Sequence, residues 1–386
     1  MTESLSERLR DRVSRAEDPS QRDALTLDLV FALCQEGELS EASELLQQLK
    51  SPVRSRRPEV LIRALIAEGV NQYYSGAIEV GFDRASRAKA LASAAQHFGL
   101  VFEASVWMGQ IGFNSGRYGE LPRLMKIARG NVEYCESASL ARLLLLIADL
   151  MQYVYGFSEA RRWYELARKL AQHRHDWGLL AAIEYNRFAI GVSRLRFRKF
   201  CLLAPEDNEF REWLSELKSI SRLHDALSVS LRTEFLEYCW LLADELVGEF
   251  GDAVKRIVAL RASGALSKCG VSDAVAHLEE QWCRMKLGGI NERCGQLDTR
   301  AAEQSLNALV ELDSGQSVMG YFFLSELNEA LDWKIDKTKI AHLRARAVEQ
   351  FQGELNCMES AVEIVRDDFE VFYEQVNTKS AGEKSL

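Results

Sequence analysis

A six-residue segment that recurs along this 386-residue chain decides its fold. The clearest copies are GELSEA (37–42), GRYGEL (116–121), YGFSEA (155–160) and GEFGDA (248–253), and GAIEVG (76–81) is a weaker copy. The copies that begin at 37, 76, 116 and 155 are 39, 40 and 39 residues apart, and the copy at 248 lies 93 residues further on. A fixed period of roughly 20–50 residues is typical of stacked helical repeats. The longer gap predicts one further repeat with an insertion.

Each copy joins a turn residue to an apolar residue two positions later and a small or apolar residue three positions after that. Apolar residues at helical spacing flank the copies, for example Leu29 and Leu33 before the first and Leu46 and Leu49 after it. This pattern predicts helix, tight turn and helix, because a glycine permits the turn and a small residue permits close packing. We expect helical hairpins near residues 24–50, 59–97, 99–130, 137–173, 177–222, 225–262, 272–312 and 316–350.

Composition supports an all-α chain and narrows the function classes. There are only 5 prolines and 47% apolar residues, so long stretches lack the strongest helix breaker. No uncharged apolar window of membrane-spanning length and no apolar signal core are evident, which predicts a cytoplasmic protein. The net charge of −9 argues against a general nucleic-acid binder. The 8 scattered cysteines form no CxxC pair, so most are expected to be buried thiols.

The repeated pattern G-x-[YFL]-x-x-A resembles the tetratricopeptide repeat over about residues 24–262. The period near 40 is longer than that family's period of about 34 residues, and the closing proline is missing. Longer helices of this type resemble the tetratricopeptide-like domains of bacterial regulators and peptide sensors. The resemblance implies a right-handed α-solenoid with a concave, peptide-binding groove. It implies tetratricopeptide-like repeats in 1–200 and further helical repeats in 201–340, after an insertion around 200–209.

In the resembled family, the first helix of each repeat lines the groove at fixed distances before the turn glycine. Tyrosine, arginine and amide side chains at those positions suit peptide capture, because aromatic rings bury large areas and amides bond an extended backbone. The alternative is that the rings fill the core between stacked helices. The binding residues that these positions imply are Arg63, Tyr73, Tyr74, Gln110, Phe113, Asn114, Arg142, Asp149, Gln152, Tyr153 and Tyr185.

The C-terminal region, residues 341–376, has a narrower apolar period than the repeats. Its apolar residues alternate steps of three and four, which is typical of a helix with one partner helix. We expect a homodimer through this seam; docking in a groove and capping of the last repeat are the alternatives. The tail 377–386 is polar and expected to be disordered. The predicted dimerisation residues are Val348, Phe351, Leu355, Met358, Val362, Val365, Phe369 and Phe372.

Two charged clusters remain. The basic run Arg194, Arg196, Arg198 and Lys199 alternates with apolar residues and could bind a phosphate backbone or an acidic partner, but a solvated helix end whose apolar residues face the core is the preferred interpretation. The sequence His173-Arg-His175-Asp176 is interpreted as a helix end rather than a metal site. No catalytic motif is present, and no metal or cofactor is expected. The sequence therefore predicts a non-catalytic regulatory protein that binds a protein or peptide, with nucleic-acid binding through the basic run as the alternative.

Overall fold

The computed structural model describes residues 4–50, 57–199, 233–269, 271–288, 299–312, 314–331, 333 and 335–382. Over these residues the chain is all-α, with no strand. Short 3₁₀ turns flank α7. The helices are α1 Leu5–Arg15, α2 Pro19–Glu36, α3 Leu39–Leu49, α4 Pro58–Tyr74, α5 Ile78–Ala94, α6 Phe98–Asn114, α7 Leu121–Gly130, α8 Ser137–Val154, α9 Phe157–His173, α10 Trp177–Phe197, α11 Thr233–Val247, α12 Phe250–Ala262, α13 Ala265–Lys268, α14 Asp273–Gly288, α15 Thr299–Leu309, α16 Ser314–Ala330, α17 Lys337–Arg366 and α18 Phe369–Gly382.

Helix pairs occupy the predicted hairpin positions. The pairs α2–α3, α4–α5, α6–α7 and α8–α9 follow the first four predicted hairpins, and α11–α12 follows the sixth. The partners within each of these pairs pack against each other. The predicted insertion around 200–209 lies outside the described residues, apart from the end of α10.

The turns between paired helices have the backbone that the recurring segment predicts. The glycines at these turns have φ values of +87°, +87°, +75°, +103° and +86°, in the left-handed region that only glycine enters without strain. In the fourth copy, which begins at residue 155, the left-handed residue is the glycine in its second position. The five glycines are Gly37, Gly76, Gly116, Gly156 and Gly248.

The small residue at the end of the segment permits close helix approach most clearly in the second hairpin. A Cβ placed on Gly81 of α5 would lie 2.7 Å from the backbone oxygen of Gly69 in α4, and 3.1 Å from the backbone nitrogen of Tyr73. The two helices therefore meet backbone to backbone at this point. The equivalent residues of the first and fourth hairpins, Ala42 and Ala160, are completely buried.

The chain divides into two compact units. Unit 1 contains the described residues up to 184 and those from 357 onward, and unit 2 contains residues 185–199 and the described residues from 233 to 356. The unit boundaries fall within α10 and within α17. The final segment of the chain therefore belongs to the same unit as its N-terminal hairpins.

Much of the C-terminal seam is covered by the chain itself, so its burial does not require a second copy, and the homodimer stays a prediction. In unit 1, Met358, Val362, Val365 and Phe372 are at most 1% exposed, in one apolar core with α8 and α9. The ring of Phe369 packs edge-on against Trp163 of α9 with centroids 5.1 Å apart.

The first part of the seam belongs to unit 2. There Phe351 is buried and stacks on Phe197 at 4.5 Å, while Val348 and Leu355 are half-buried. Residues 377–382 of the segment that was expected to be disordered form the end of α18, and the rest of that segment lies outside the described residues.

The helix α8 alone, among the described residues, is long and apolar enough to qualify as a membrane span by length and composition. The sequence expectation concerned uncharged windows, and α8 carries two charged residues, Arg142 and Asp149. Moreover, 78% of α8 is buried within the protein, as expected for a core helix. A cytoplasmic location stays a prediction.

Candidate functional site

The first helices of the four hairpins in unit 1 share one face. Helix α2 packs on α4, α4 on α6 and α6 on α8, and side chains from all four line a common cavity. The periodicity of the helices brings these side chains to the same side, because residues three and four apart lie above one another. We call this surface the central face; it comprises Asp28, Phe31, Gln35, Arg63, Glu103, Trp107, Ser139 and Arg142.

Arg63 is the electrostatic centre of this face. Its guanidinium forms ion pairs with Asp28 at 2.8 Å, Glu103 at 3.3 Å and Glu136 at 3.3 Å, and its side chain is 11% exposed. Burial raises the pKa of Glu103, and Arg63 acts in the opposite direction. Because three carboxyl groups surround one guanidinium, this part of the face has a net negative charge when the carboxyl groups are ionised.

Two arginines flank an aromatic pair beside this cluster. The rings of Phe31 and Trp107 stack with centroids 5.9 Å apart and planes 9° apart. Arg142 lies over Trp107 at 4.1 Å, and Arg63 lies 5.7 Å from the Phe31 ring. A guanidinium over an aromatic face is stabilised by the ring quadrupole, so the rings help to fix both arginines in place.

Helix α1 lies across the central face. Its residues Leu5 and Leu9 form a wall of the cavity whose other walls include Arg63, Trp107 and Arg142. This cavity has a volume of about 40 Å³. Leu9 is 5% exposed. The first helix of the chain thus covers part of the surface that the repeats create.

Polar contacts hold α1 at both sides of the face. On the first hairpin, Ser6 donates its backbone N–H to Glu36 at 3.3 Å, and Arg10 makes a two-pronged contact with Glu41 at 3.0 and 2.7 Å. On the fourth hairpin, Arg8 donates to the carbonyl oxygens of Arg174 at 3.1 Å and of His175 at 2.8 Å, where α9 ends. Helix α1 therefore bridges the first and fourth hairpins.

An open pocket of about 730 Å³ adjoins the part of the face around Arg63 and Ser139. Phe98 and Tyr134 line it with ring centroids 5.2 Å apart, and they are 45% and 51% exposed. His97 Nε2 lies 3.4 Å from Glu59 at its edge. The two exposed rings therefore lie beside the charge cluster around Arg63, which lines the same pocket.

Six of the predicted binding residues lie in two groups on the first helices. Arg63 and Arg142 are on the central face. In the second group, Asn114 donates to the Tyr73 hydroxyl at 2.7 Å, and Phe113 packs edge-on against Tyr153 at 6.4 Å. These residues come from the ends of α4, α6 and α8.

The remaining five have different positions. Asp149 and Gln152 are buried, and their side-chain oxygens lie within hydrogen-bond distance of the Tyr164 hydroxyl, at 2.8 and 2.7 Å, so the structure places them in the core of the fourth hairpin rather than on a binding surface. Tyr74 packs on Tyr73 at 5.1 Å, and Gln110 is half-buried. Tyr185 belongs to unit 2, where its hydroxyl accepts from the Cys239 thiol at 3.9 Å.

The basic run does not form a free cationic stripe. Arg196 is 5% exposed and pairs with Glu245 at 2.9 Å and with Glu279 inside unit 2, and Lys199 donates to the carbonyl oxygen of Leu246 at 2.5 Å. Arg194 and Arg198 are half-buried. The alternation of charge and apolar residues therefore reflects a helix with a buried ion cluster, which weakens the nucleic-acid interpretation.

The histidine cluster caps helices. His173 is the last residue of α9, and Asp176 accepts the backbone N–H of Leu179 at 2.9 Å at the start of α10. No group of three His, Cys, Asp or Glu within the described residues is arranged to hold a metal ion. Four of the cysteines in that part of the chain, Cys34, Cys135, Cys239 and Cys283, are buried, and burial raises the pKa of Cys34 to about 12.

Sequence reasoning missed α1, Trp107 and Glu103. The spacing of Leu5, Leu9 and Val13 by four residues could have identified an amphipathic helix before the first repeat. Nothing in that spacing shows which surface the helix covers. Comparisons with family models, curated proteins and solved structures give no match to this chain.

Proposed function

We propose that this chain is a non-catalytic regulatory protein whose unit 1 binds a helical peptide segment of another protein on the central face. In this proposal the four hairpins form a right-handed, tetratricopeptide-like array, and the shared face of α2, α4, α6 and α8 is its concave side. The protein would act in the cytoplasm. The observation that carries the proposal is that a helix, α1, already lies on this face and bridges the first and fourth hairpins.

A helix laid across a surface of other helices is a known mode of peptide recognition, with apolar anchors at intervals of three and four residues. The face offers what such recognition needs. It has buried aromatic rings and half-buried arginines at its centre and exposed rings at the adjoining pocket. These residue types carry most of the binding energy in protein interfaces.

The test is selection of helical peptides from a displayed library on the full chain, followed by affinity measurements on variants. We expect Arg142→Ala and Tyr134→Ala each to weaken the selected peptides about tenfold or more, as is usual for central interface residues. Tyr373→Ala is the matched control, because Tyr373 is 42% exposed but lies on α18. Selected peptides that bind all variants equally, or a selection without binders, would show that the central face is not a peptide site.

A further inference from the structure

The chemistry of α1 indicates which kind of helix the central face accepts. Leu5 and Leu9 face the cavity and Val13 packs on the core of the first two hairpins. Arg8 points to the fourth hairpin and Arg10 to the first hairpin. Helix α1 is thus an amphipathic helix with apolar residues four apart and basic residues beside them.

The partners that unit 1 offers to the basic and N–H groups of α1 are oxygen atoms, while Arg22 of α2 donates to the carbonyl oxygen of Ala16, where α1 ends. On one side they are the carboxylates of Glu36 and Glu41. On the other side they are the carbonyl oxygens of Arg174 and His175, at the C-terminal end of α9, where the helix dipole favours cations. An acidic helix would meet repulsion at both sides, whereas a basic helix meets attraction.

The seat of α1 is loosely filled. The cavity beneath it, about 40 Å³, is lined by polar groups that include Asp28, Gln35 and Arg142, and a polar cavity of this size is large enough for a water molecule. The buried Nε of Arg8 has no hydrogen-bond partner among the described residues. At 11 residues, α1 is also too short to be a stable helix away from this face. These features favour exchange of α1 for a better-fitting helix.

We infer that the partner of the central face is a basic amphipathic helix that replaces α1, so that α1 is a competitor within the chain. This inference rests on the proposed function. The partner has apolar residues four positions apart that take the places of Leu5 and Leu9, and basic residues that reach Glu41 and the end of α9. Because α1 must leave first, the apparent affinity of the partner is reduced by the fraction of molecules in which the face is open.

The probe for this inference is a fluorescently labelled synthetic peptide of residues 4–17, whose binding is measured by fluorescence anisotropy. It is titrated into the unmodified chain and into Leu9→Asp, which places a carboxyl in the apolar seat. Arg12→Ala is the matched control, because Arg12 is on the exposed side of α1. We expect the Leu9→Asp chain to bind the peptide at least tenfold more tightly than the other two. A peptide that itself carries Leu9→Asp should not bind.

A second variant, Arg8→Ala with Arg10→Ala, keeps the test decisive if Leu9→Asp fails to fold. It removes the two arginine anchors of α1 without adding a charge, and it should also raise peptide affinity. If the peptide binds the variants with a weakened α1 and the unmodified chain with equal affinity, the inference is overturned. If library-selected peptides depend on Arg142 but the 4–17 peptide does not compete with them, this inference fails while the proposed function stands. If no selected peptide depends on the face, the proposed function fails.

Discussion

Replacement of Val362 by aspartate distinguishes a core helix from a dimerisation seam. Val362 is completely buried in unit 1. Val362→Asp removes about 1.5–3 kcal/mol of apolar burial, and placing an unpaired polar group in that core costs about 2 kcal/mol or more. We therefore expect the free energy of unfolding of unit 1 to fall by about 4 kcal/mol or more, a large share of the roughly 5–15 kcal/mol that stabilises a typical domain.

The same substitution at Val371 provides the control. Val371 is 45% exposed on α18, so Val371→Asp should change the free energy of unfolding by less than about 1 kcal/mol. Urea denaturation followed by tryptophan fluorescence measures both, because Trp163 contacts Phe369 and Phe372 of α18. Light scattering measures the oligomeric state in parallel. A Val362→Asp chain of unchanged stability that converts a dimer to a monomer would refute the reasoning.

Three further predictions concern close packing, buried charge and pH. Gly81→Ala should destabilise unit 1 by about 1–3 kcal/mol in urea denaturation, because the added carbon meets the α4 backbone; Gly130→Ala, which meets open space, should have little effect. Arg196→Ala should cost unit 2 about 3–5 kcal/mol by the same measurement, because it leaves two buried glutamates unpaired. The hydrogen bond that Arg10 of α1 donates lowers the pKa of Glu41. The stability that this contact contributes is therefore fully present at a pH above the ordinary pKa of glutamate, and it is lost as the pH falls through the lowered pKa. The protection of the α1 amides from hydrogen exchange, measured relative to the intrinsic exchange rate at each pH, should then fall. Glu41→Gln should remove this pH-dependent step.

Local pattern explains why the hairpins could be predicted from the sequence. The turn glycines and the small residues after them act on neighbours within a few residues, so the recurring segment contains the necessary information. Gly116 illustrates this, because the left-handed backbone at +75° was expected from its place in the segment. Helix boundaries follow from the same pattern. Pro58 and Pro122, for example, occupy the first turns of α4 and α7, where a missing N–H costs little.

Contacts between distant parts of the chain could not be predicted in the same way. The seam from Met358 to Phe372 has the same period whether it faces another copy or its own core, since apolar spacing shows that a surface is covered without showing by what. Asp149 and Gln152 also occupy positions that the tetratricopeptide resemblance implies for the groove. They instead contact Tyr164, because the fourth hairpin places its hydroxyl opposite them. The buried pairing of Arg196 with Glu279 joins residues 83 positions apart.

The two ends of the chain both pack in unit 1, but with different chemistry. The C-terminal segment buries Met358, Val362 and Phe372 in the apolar core, and removing such contacts exposes hydrocarbon that nothing in solution can replace. The N-terminal helix relies more on Arg8 and Arg10, whose oxygen partners water can satisfy after the helix departs. Release of α1 therefore exposes fewer buried apolar side chains than release of the C-terminal segment. This difference is what the proposed exchange requires of α1, whereas the C-terminal segment stays in the core of unit 1.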